Sequence, residues 1–413
     1  MPLQPSRTVD ELRELQRLTG DEHGAQRVCW TPIWLEAREW LGGKLTELPG
    51  VEQEIDEAGN QWATLHGDSP SALLIGGHLD SVPDGGWLDG CLNVVAGLEV
   101  LRRLTEGGRP AMTVRLVSWA DEEGARFGRS LFGSSAASGT MDPEALRALK
   151  DRDGVSLPEA LAACGVDLDR AGQCRRQLEN AAAYLELHIE QGPVLERLDL
   201  PLGVVLGTFG VERHAVRFEG QSAHAGSTPM DARRDALAAA ARLVLEVREI
   251  ARREGGVGTV GRLVTRPGIV TAIAGECELT LDQRALDAGA LARMLQQAVD
   301  ASRRLAGEEG VDVEWERIWR IEPLPFDTEL VEICAAAITD VVGHVHPLPS
   351  GPLHDAAEMV RAGLPSAMIF VQSLKGLSHT REEDTRPGHL ELAVQALDRS
   401  TTAAMAWAAR RTR

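Results

Sequence analysis

SALLIGGHLDSVPDGGWLDGCLNVVAGLEVLRRL, residues 71–104, holds a strand, a glycine-rich loop and a helix in that order. Its apolar opening shows no alternation, which suits a strand covered on both faces. NVVAGLEVLRRL has helical spacing, and the next segment, TVRLVSWA (113–120), is a second buried strand. Strand, helix, strand describes a βαβ unit in a largely parallel sheet. Such sheets carry their functional groups where the chain turns at the carboxyl ends of the strands. His78 closes the first run, Asp89 sits in the loop before the helix, and Glu122-Glu123 follow the second run. LELHIEQG (185–192) reads as a further strand bearing His188, and His379 lies in the polar loop after PSAMIFV.

On the N-terminal side, TVDELRELQRL is an amphipathic helix and a second helix begins after Thr31. QWATLHG is a strand, followed by a turn at Asp68-Ser69-Pro70. Trp30, Trp34 and Trp40 fall at helical spacing and read as core. From about residue 210 the texture changes. RHAVRFEGQSAHAG alternates, a long helix closes at glycine, GTVGRLVT and CELTLDQRAL are strands, then come a helix and the strand VDVEWERI. That order suits an α+β sandwich. The expected fold is therefore α/β. A discontinuous main domain, 1–210 and 327–413, has a largely parallel mixed sheet flanked by helices, and an α+β domain, 211–326, is inserted in it.

The bulk numbers agree with this plan. A chain of 413 residues exceeds what one hydrophobic core serves. A formal net charge of −19 without a basic run disfavours nucleic acid and anionic membranes. No leader-like or membrane-spanning apolar stretch is visible. The six cysteines are scattered, which reads as reduced thiols in a cytoplasmic protein.

Histidines and carboxylates at these positions form a ligand set suited to Zn, Mn, Co or Ni. Asp80, two residues beyond His78, shares its face and can orient the imidazole. In the Glu122-Glu123 pair, one carboxylate can bind metal while the other serves as general base. Each residue alone has a plain structural reading; their combined order in this sheet favours the chemistry.

GGHLDSVPDGGWLDG, WADEEGARFGRSLFGS, LELHIEQGPVLE, GQSAHAGSTPMDARRDA and GLSHTREE together resemble one family. It is the M20-type di-metal amidase family of allantoate amidohydrolases, N-carbamoyl-L-amino acid hydrolases, ureidoglycolate hydrolases and β-ureidopropionases. The resemblance spans almost the whole chain. It implies two divalent metal ions per subunit bridged by Asp89, with His78 and His188 completing one site and Glu123 and His379 the other. Glu122 would be the general base, taking the proton of a water shared by the metals so that it attacks a carbamoyl or ureido carbonyl. The inserted domain would be a lid and the homodimer contact. Its His224 resembles the oxyanion-stabilising histidine given to a neighbouring subunit, and Arg284 resembles the clamp for a substrate carboxylate. Gln191 and His354 match polar residues lining the cleft of the small-molecule substrate.

Departures from the pattern fall near substrate. Thr271 stands where an asparagine is usual, SGPLHDA replaces a glycine-rich loop, and Asn93 stands where glycine is common. An aminoacylase or dipeptidase would use the same metals on an ordinary amide. A catalytically dead binder would be expected to have lost a ligand or Glu122, and none is missing.

Overall fold

The computed structural model describes residues 2–411; Met1 and positions 412 and 413, the outer ends of the expected main domain, lie outside the described residues. The chain divides into two compact units, 1–206 with 326–413, and 207–325. Its first elements are helices α1 (Pro5–Thr19) and α2 (Pro32–Thr46). Strands β1 (Val51–Ile55), β2 (Gln61–Leu65) and β3 (Ser69–His78) follow, then α3 (Cys91–Glu106) and β4 (Met112–Trp119). After short helices come β5 (Ala181–Ile189) and β6 (Leu202–Thr208).

The second unit holds β7 (Gly210–Glu219), α4 (Ala236–Glu254), β8 (Val257–Arg266), β9 (Glu276–Ala285), α5 (Ala288–Glu309) and β10 (Asp312–Ile321). The first unit then resumes with α6 (Thr328–Val342), β11 (Pro347–Ser350), α7 (Asp355–Arg361), β12 (Ser366–Val371) and α8 (Pro387–Arg411).

In the first unit the strand order runs β6-β12-β5-β3-β4-β2-β1, with β11 beside β6. The central four, β12, β5, β3 and β4, are parallel, and the flanking pairs are antiparallel. Successive residues of these strands feed two cores on opposite faces. On β3, Leu73 and Ile75 enter one and Ala72 and Leu74 the other; on β12, Ile369 and Met368 divide likewise. Both faces are covered, which is why the strands read as unbroken apolar runs. α2 starts as expected, with Thr31 Oγ1 accepting from Trp34 N and Pro32 at the first position.

Two readings of the first unit are corrected. Ser69 and Pro70 belong to β3, whose register shifts between Ser69 and Ala72, and β4 lies between β2 and β3. Trp30 is buried in the core as expected, packed on Trp34 and Phe132, but it precedes α2 with φ at +63° instead of lying in the helix, and Trp40 is only partly buried.

In the second unit four antiparallel strands run in the order β8-β9-β7-β10. Along β9, Cys277, Leu279 and Leu281 pack in one core with residues of α4 and α5, while Glu278, Thr280 and Asp282 take the open face. Residue alternation produces this one-sided sheet, polar on one face and apolar on the other. α4 closes at Gly255 in the left-handed region, where glycine carries no Cβ penalty.

Candidate metal centre and active site

The four parallel strands end on one side, and each delivers a functional group there. His78 is the last residue of β3, His188 the penultimate residue of β5, Glu122-Glu123 follow β4, and His379 follows β12. Asp89 lies in the loop before α3. Its two oxygens face different partners. Oδ1 lies 3.7 Å from His78 Nε2 and 3.1 Å from His188 Nε2; Oδ2 lies 3.3 Å from His379 Nε2. Glu123 Oε2 is 3.4 Å from that same His379 nitrogen. His78–Asp89–His188 and Asp89–Glu123–His379 thus each place three donor atoms within 4.8 Å of one another, with Asp89 common to both.

The residues fit divalent cations on an observation independent of that spacing. His78 Nε2 and Glu123 Oε1 are buried and have no hydrogen-bond partner. Such orphaned polar atoms are costly unless a ligand satisfies them. The far ring nitrogens are already engaged. His78 Nδ1 lies 3.0 Å from the Asp80 carbonyl and His188 Nδ1 2.9 Å from the Ile189 carbonyl, which turns both Nε2 atoms toward Asp89.

Asp80 acts differently from the sequence expectation. Its carbonyl, not its carboxylate, engages His78; the carboxylate oxygen stays 3.7 Å from Nδ1. That carboxylate accepts from Glu122 N and Glu123 N at 3.3 and 3.1 Å, so Asp80 holds the turn that presents both glutamates. The strand had ended at His78, so the shared-face argument did not extend to Asp80.

Electrostatics follow from crowding. Burial, then the charges of Asp355, Glu123, Asp80 and Asp89, lift Glu122 well above the usual carboxylate range. Burial alone would raise Asp89, but hydrogen bonds from His188 and His379 hold it well below its ordinary value. Burial works against a charged His188, yet Asp89 raises it to about 9. His78 is pushed down by burial. Glu122 Oε2 stands 3.7 Å from His78 Nε2, so a carboxyl held above its usual range lies beside the candidate metal ligands.

Gln191, with φ at +55°, donates from Nε2 to Asp89 Oδ2 at 2.8 Å and to Ser378 Oγ at 3.1 Å. It therefore touches the central aspartate itself. His354 occupies the N-cap position of α7 without a side-chain capping bond, is buried with its ring 4.3 Å from that of His188, and leaves Nε2 unpartnered.

His224, Thr271 and Arg284 belong to the second unit. Ala225 N donates to the Thr271 carbonyl at 2.8 Å, and His224 pairs with Ala272, so these two residues are neighbours. His224 Nδ1 accepts from Gly226 N and Ser227 N at 3.1 and 3.2 Å, which leaves the neutral ring's proton on Nε2. Arg284 is at the other end of β9, its Nε 2.8 Å from Asp282 Oδ1.

Several contributors escaped the sequence reading. Asp121, with φ at +57°, accepts from Trp30 Nε1 at 2.8 Å and is pushed to about 8 by burial and then Asp80. Glu186 accepts from Tyr184 Oη and Ala356 N, and burial lifts it to about 7. Glu383 reaches the backbone of the Asp89 loop. Periodicity could have hinted only at Glu186, an acid alternating with His188 in an otherwise apolar strand.

Residues 74–402 match the model of peptidase family M20/M25/M40. The chain belongs to that family. This M20 protein is 38% identical to an N-carbamoyl-L-amino acid amidohydrolase of Geobacillus stearothermophilus over 365 residues, 87% of this chain and 88% of the relative. It is 34% identical to an allantoate amidohydrolase of Escherichia coli (strain K12), covering 91% of each. A crystal structure of an amidase of the hydantoinase/carbamoylase family from Burkholderia multivorans superposes with a TM-score of 0.85 at 31% identity, covering 96% of this chain and 97% of that one. The M20 protein is an amidohydrolase on the mixed α/β fold of that group. Among its described residues, no helix is long and apolar enough to cross a membrane.

Proposed function

We propose that this M20 amidohydrolase hydrolyses the carbamoyl or ureido C–N bond of a small carboxylate-bearing substrate at a centre of two divalent cations. The observation that carries the reading is Asp89 with one oxygen toward each half of the ligand set, beside orphaned His78 and Glu123 atoms. The relatives named for N-carbamoyl-L-amino acids and allantoate support the substrate class. His78, Asp89 and His188 would hold one cation and Asp89, Glu123 and His379 the other. Zn, Mn, Co or Ni would suit this donor set, and when bound would acidify a water and polarise the scissile carbonyl.

Glu122 accepts the proton of the attacking water and returns it to the leaving nitrogen, a task matched to its raised pKa. Asp80 holds Glu122 in place through the backbone amide. His224, its proton kept on Nε2, donates to the developing oxyanion; such a donor is worth roughly 3 kcal/mol of barrier. Arg284 clamps the substrate carboxylate, and Gln191, His354 and Thr271 line the cleft.

The reading makes unit 207–325 a lid and the contact of a homodimer. Arg284 and Glu276 lie eight positions apart on β9, roughly 25 Å at the rise of a strand, with Thr271 and His224 beyond the Glu276 end. One copy therefore does not bring both groups to one small substrate, which favours His224 from one subunit acting with Arg284 from another. The edge strand β10 exposes Ile318 and Trp319, as an association surface would. A cytoplasmic setting accords with six unpaired thiols.

The test is ammonia release by metal-loaded protein from allantoate, ureidoglycolate, β-ureidopropionate and N-carbamoyl-L-amino acids, with Glu122→Ala as control. Release lost in the variant is expected. Turnover of acyl amino acids or dipeptides without ammonia would refute the carbamoyl reading in favour of an aminoacylase.

A further inference from the structure

Two loops far apart in sequence meet over the Asp89 backbone. One is residues 86–89, entering α3; the other is 378–384, following β12. Glu383 lies between them, 2% exposed, and every polar contact it makes crosses or braces that junction. Its Oε1 accepts from Leu88 N and Asp89 N, each at 3.0 Å. Its Oε2 lies 3.0 Å from Ser378 Oγ, which is itself 2.9 Å from Asp89 Oδ2. Trp87 Nε1 adds a bond to Asp384 Oδ1 at 3.2 Å. The backbone leaves room for this: a Cβ on Gly86 would lie 2.0 Å from Glu383 Oε1. Asp89 and His379, proposed ligands from opposite ends of the chain, thus share one carboxylate as brace.

Resting on the di-metal reading, we propose that Glu383 is a positioning residue that locks the Asp89 loop to the His379 loop, so that both cation sites form as one unit. It touches neither the proposed ligand atoms nor substrate; it fixes where the Asp89 carboxylate points by holding the amides beneath it and the hydroxyl beside it. Two backbone amides and one hydroxyl require an acceptor of this length. Glutamine retains the acceptor for both amides and the reach to Ser378, whereas alanine and aspartate do not. Supporting contacts of this kind are worth about 10- to 100-fold in metal affinity.

The experiment measures Zn²⁺ and Co²⁺ affinity at both sites by chelator competition, the visible spectrum of the Co²⁺-loaded protein, and kcat and KM separately. The proteins are wild type, Glu383→Gln, Glu383→Ala and Glu383→Asp, with circular dichroism to check folding. Alanine and aspartate should weaken both cations by about 10- to 100-fold, alter the Co²⁺ bands, and lower kcat with KM nearly unchanged. Glutamine should restore all three. Gly86→Ala perturbs the same contact from the other loop and should reproduce the alanine result should Glu383→Ala fail to fold. Two tightly bound cations and a wild-type spectrum in the alanine variant would overturn the proposal, as would glutamine as damaging as alanine. Wild type binding fewer than two cations would instead overturn the underlying di-metal reading.

Discussion

Gly90→Ala tests whether the backbone entering α3 is shaped around His78. Gly90 has φ +65° and ψ −47°, where a side chain costs about 1–3 kcal/mol. The added Cβ would lie 2.3 Å from His78 Cε1 and Nδ1, about 1 Å inside ordinary contact. The ring has nowhere to retreat, because it is 1% exposed and its Nδ1 is tied to the Asp80 carbonyl. A displacement of about 1 Å at Nε2 exceeds the roughly 0.2 Å tolerance of a metal–ligand bond. Misplacement of that size costs on the order of 100-fold in rate. We expect kcat/KM to fall about 100-fold, the cation of the His78–His188 set to bind at least about 10-fold more weakly, and Tm to drop by a few degrees. Gly307→Ala is the control. That glycine lies inside α5 with open space around it, so activity should be unchanged and stability should rise by about 0.5–1 kcal/mol. Ammonia release, elemental analysis after gel filtration and thermal melts read all three quantities. Gly90→Ala with two bound cations and wild-type turnover would refute the argument.

Glu122→Gln should keep its metal content and Tm while kcat falls at least about 100-fold; a variant that still turns over normally assigns the proton transfer elsewhere. Arg284→Ala should raise KM for the carboxylate substrate about 10- to 100-fold with little change in kcat, and lysine should not rescue it; steady-state kinetics decide. Asp121 is held near 8 in the folded chain against an ordinary 3.8, so its favourable contribution is complete below about pH 4 and lost as pH rises through 8. Metal-free protein should therefore melt at progressively lower temperature from pH 5 to pH 8.5, and Asp121→Asn should flatten that slope. Chelation should abolish activity, and added Zn²⁺, Mn²⁺ or Co²⁺ should restore it while raising Tm, as ligand binding to the folded state requires.

The parallel arrangement of β3 and β4 around α3 and the one-sided sheet of the second unit were legible because period and burial are written locally. The same logic exposed His78, Asp89, Glu122, Glu123, His188 and His379, since polar residues at the ends of apolar runs break a pattern. Local order did not say which half of Asp80 would engage His78, because that depends on where β3 stops. Nor did it separate Glu383 from Glu382 in a charged loop: one is 2% exposed against the backbone of residues 88 and 89 and the other is on the surface. Trp30 is a core residue as its spacing suggested, but it lies before the helix, with a positive φ and its indole nitrogen bonded to Asp121, which the spacing did not show. Period and composition determined which elements form, which faces they bury, and which polar residues at the strand ends are candidates for the chemistry. Tertiary structure alone decided which donor meets which acceptor, because those contacts join strand ends and loops far apart in sequence, 297 residues in the case of Trp87 and Asp384, whose separation in space no local pattern encodes.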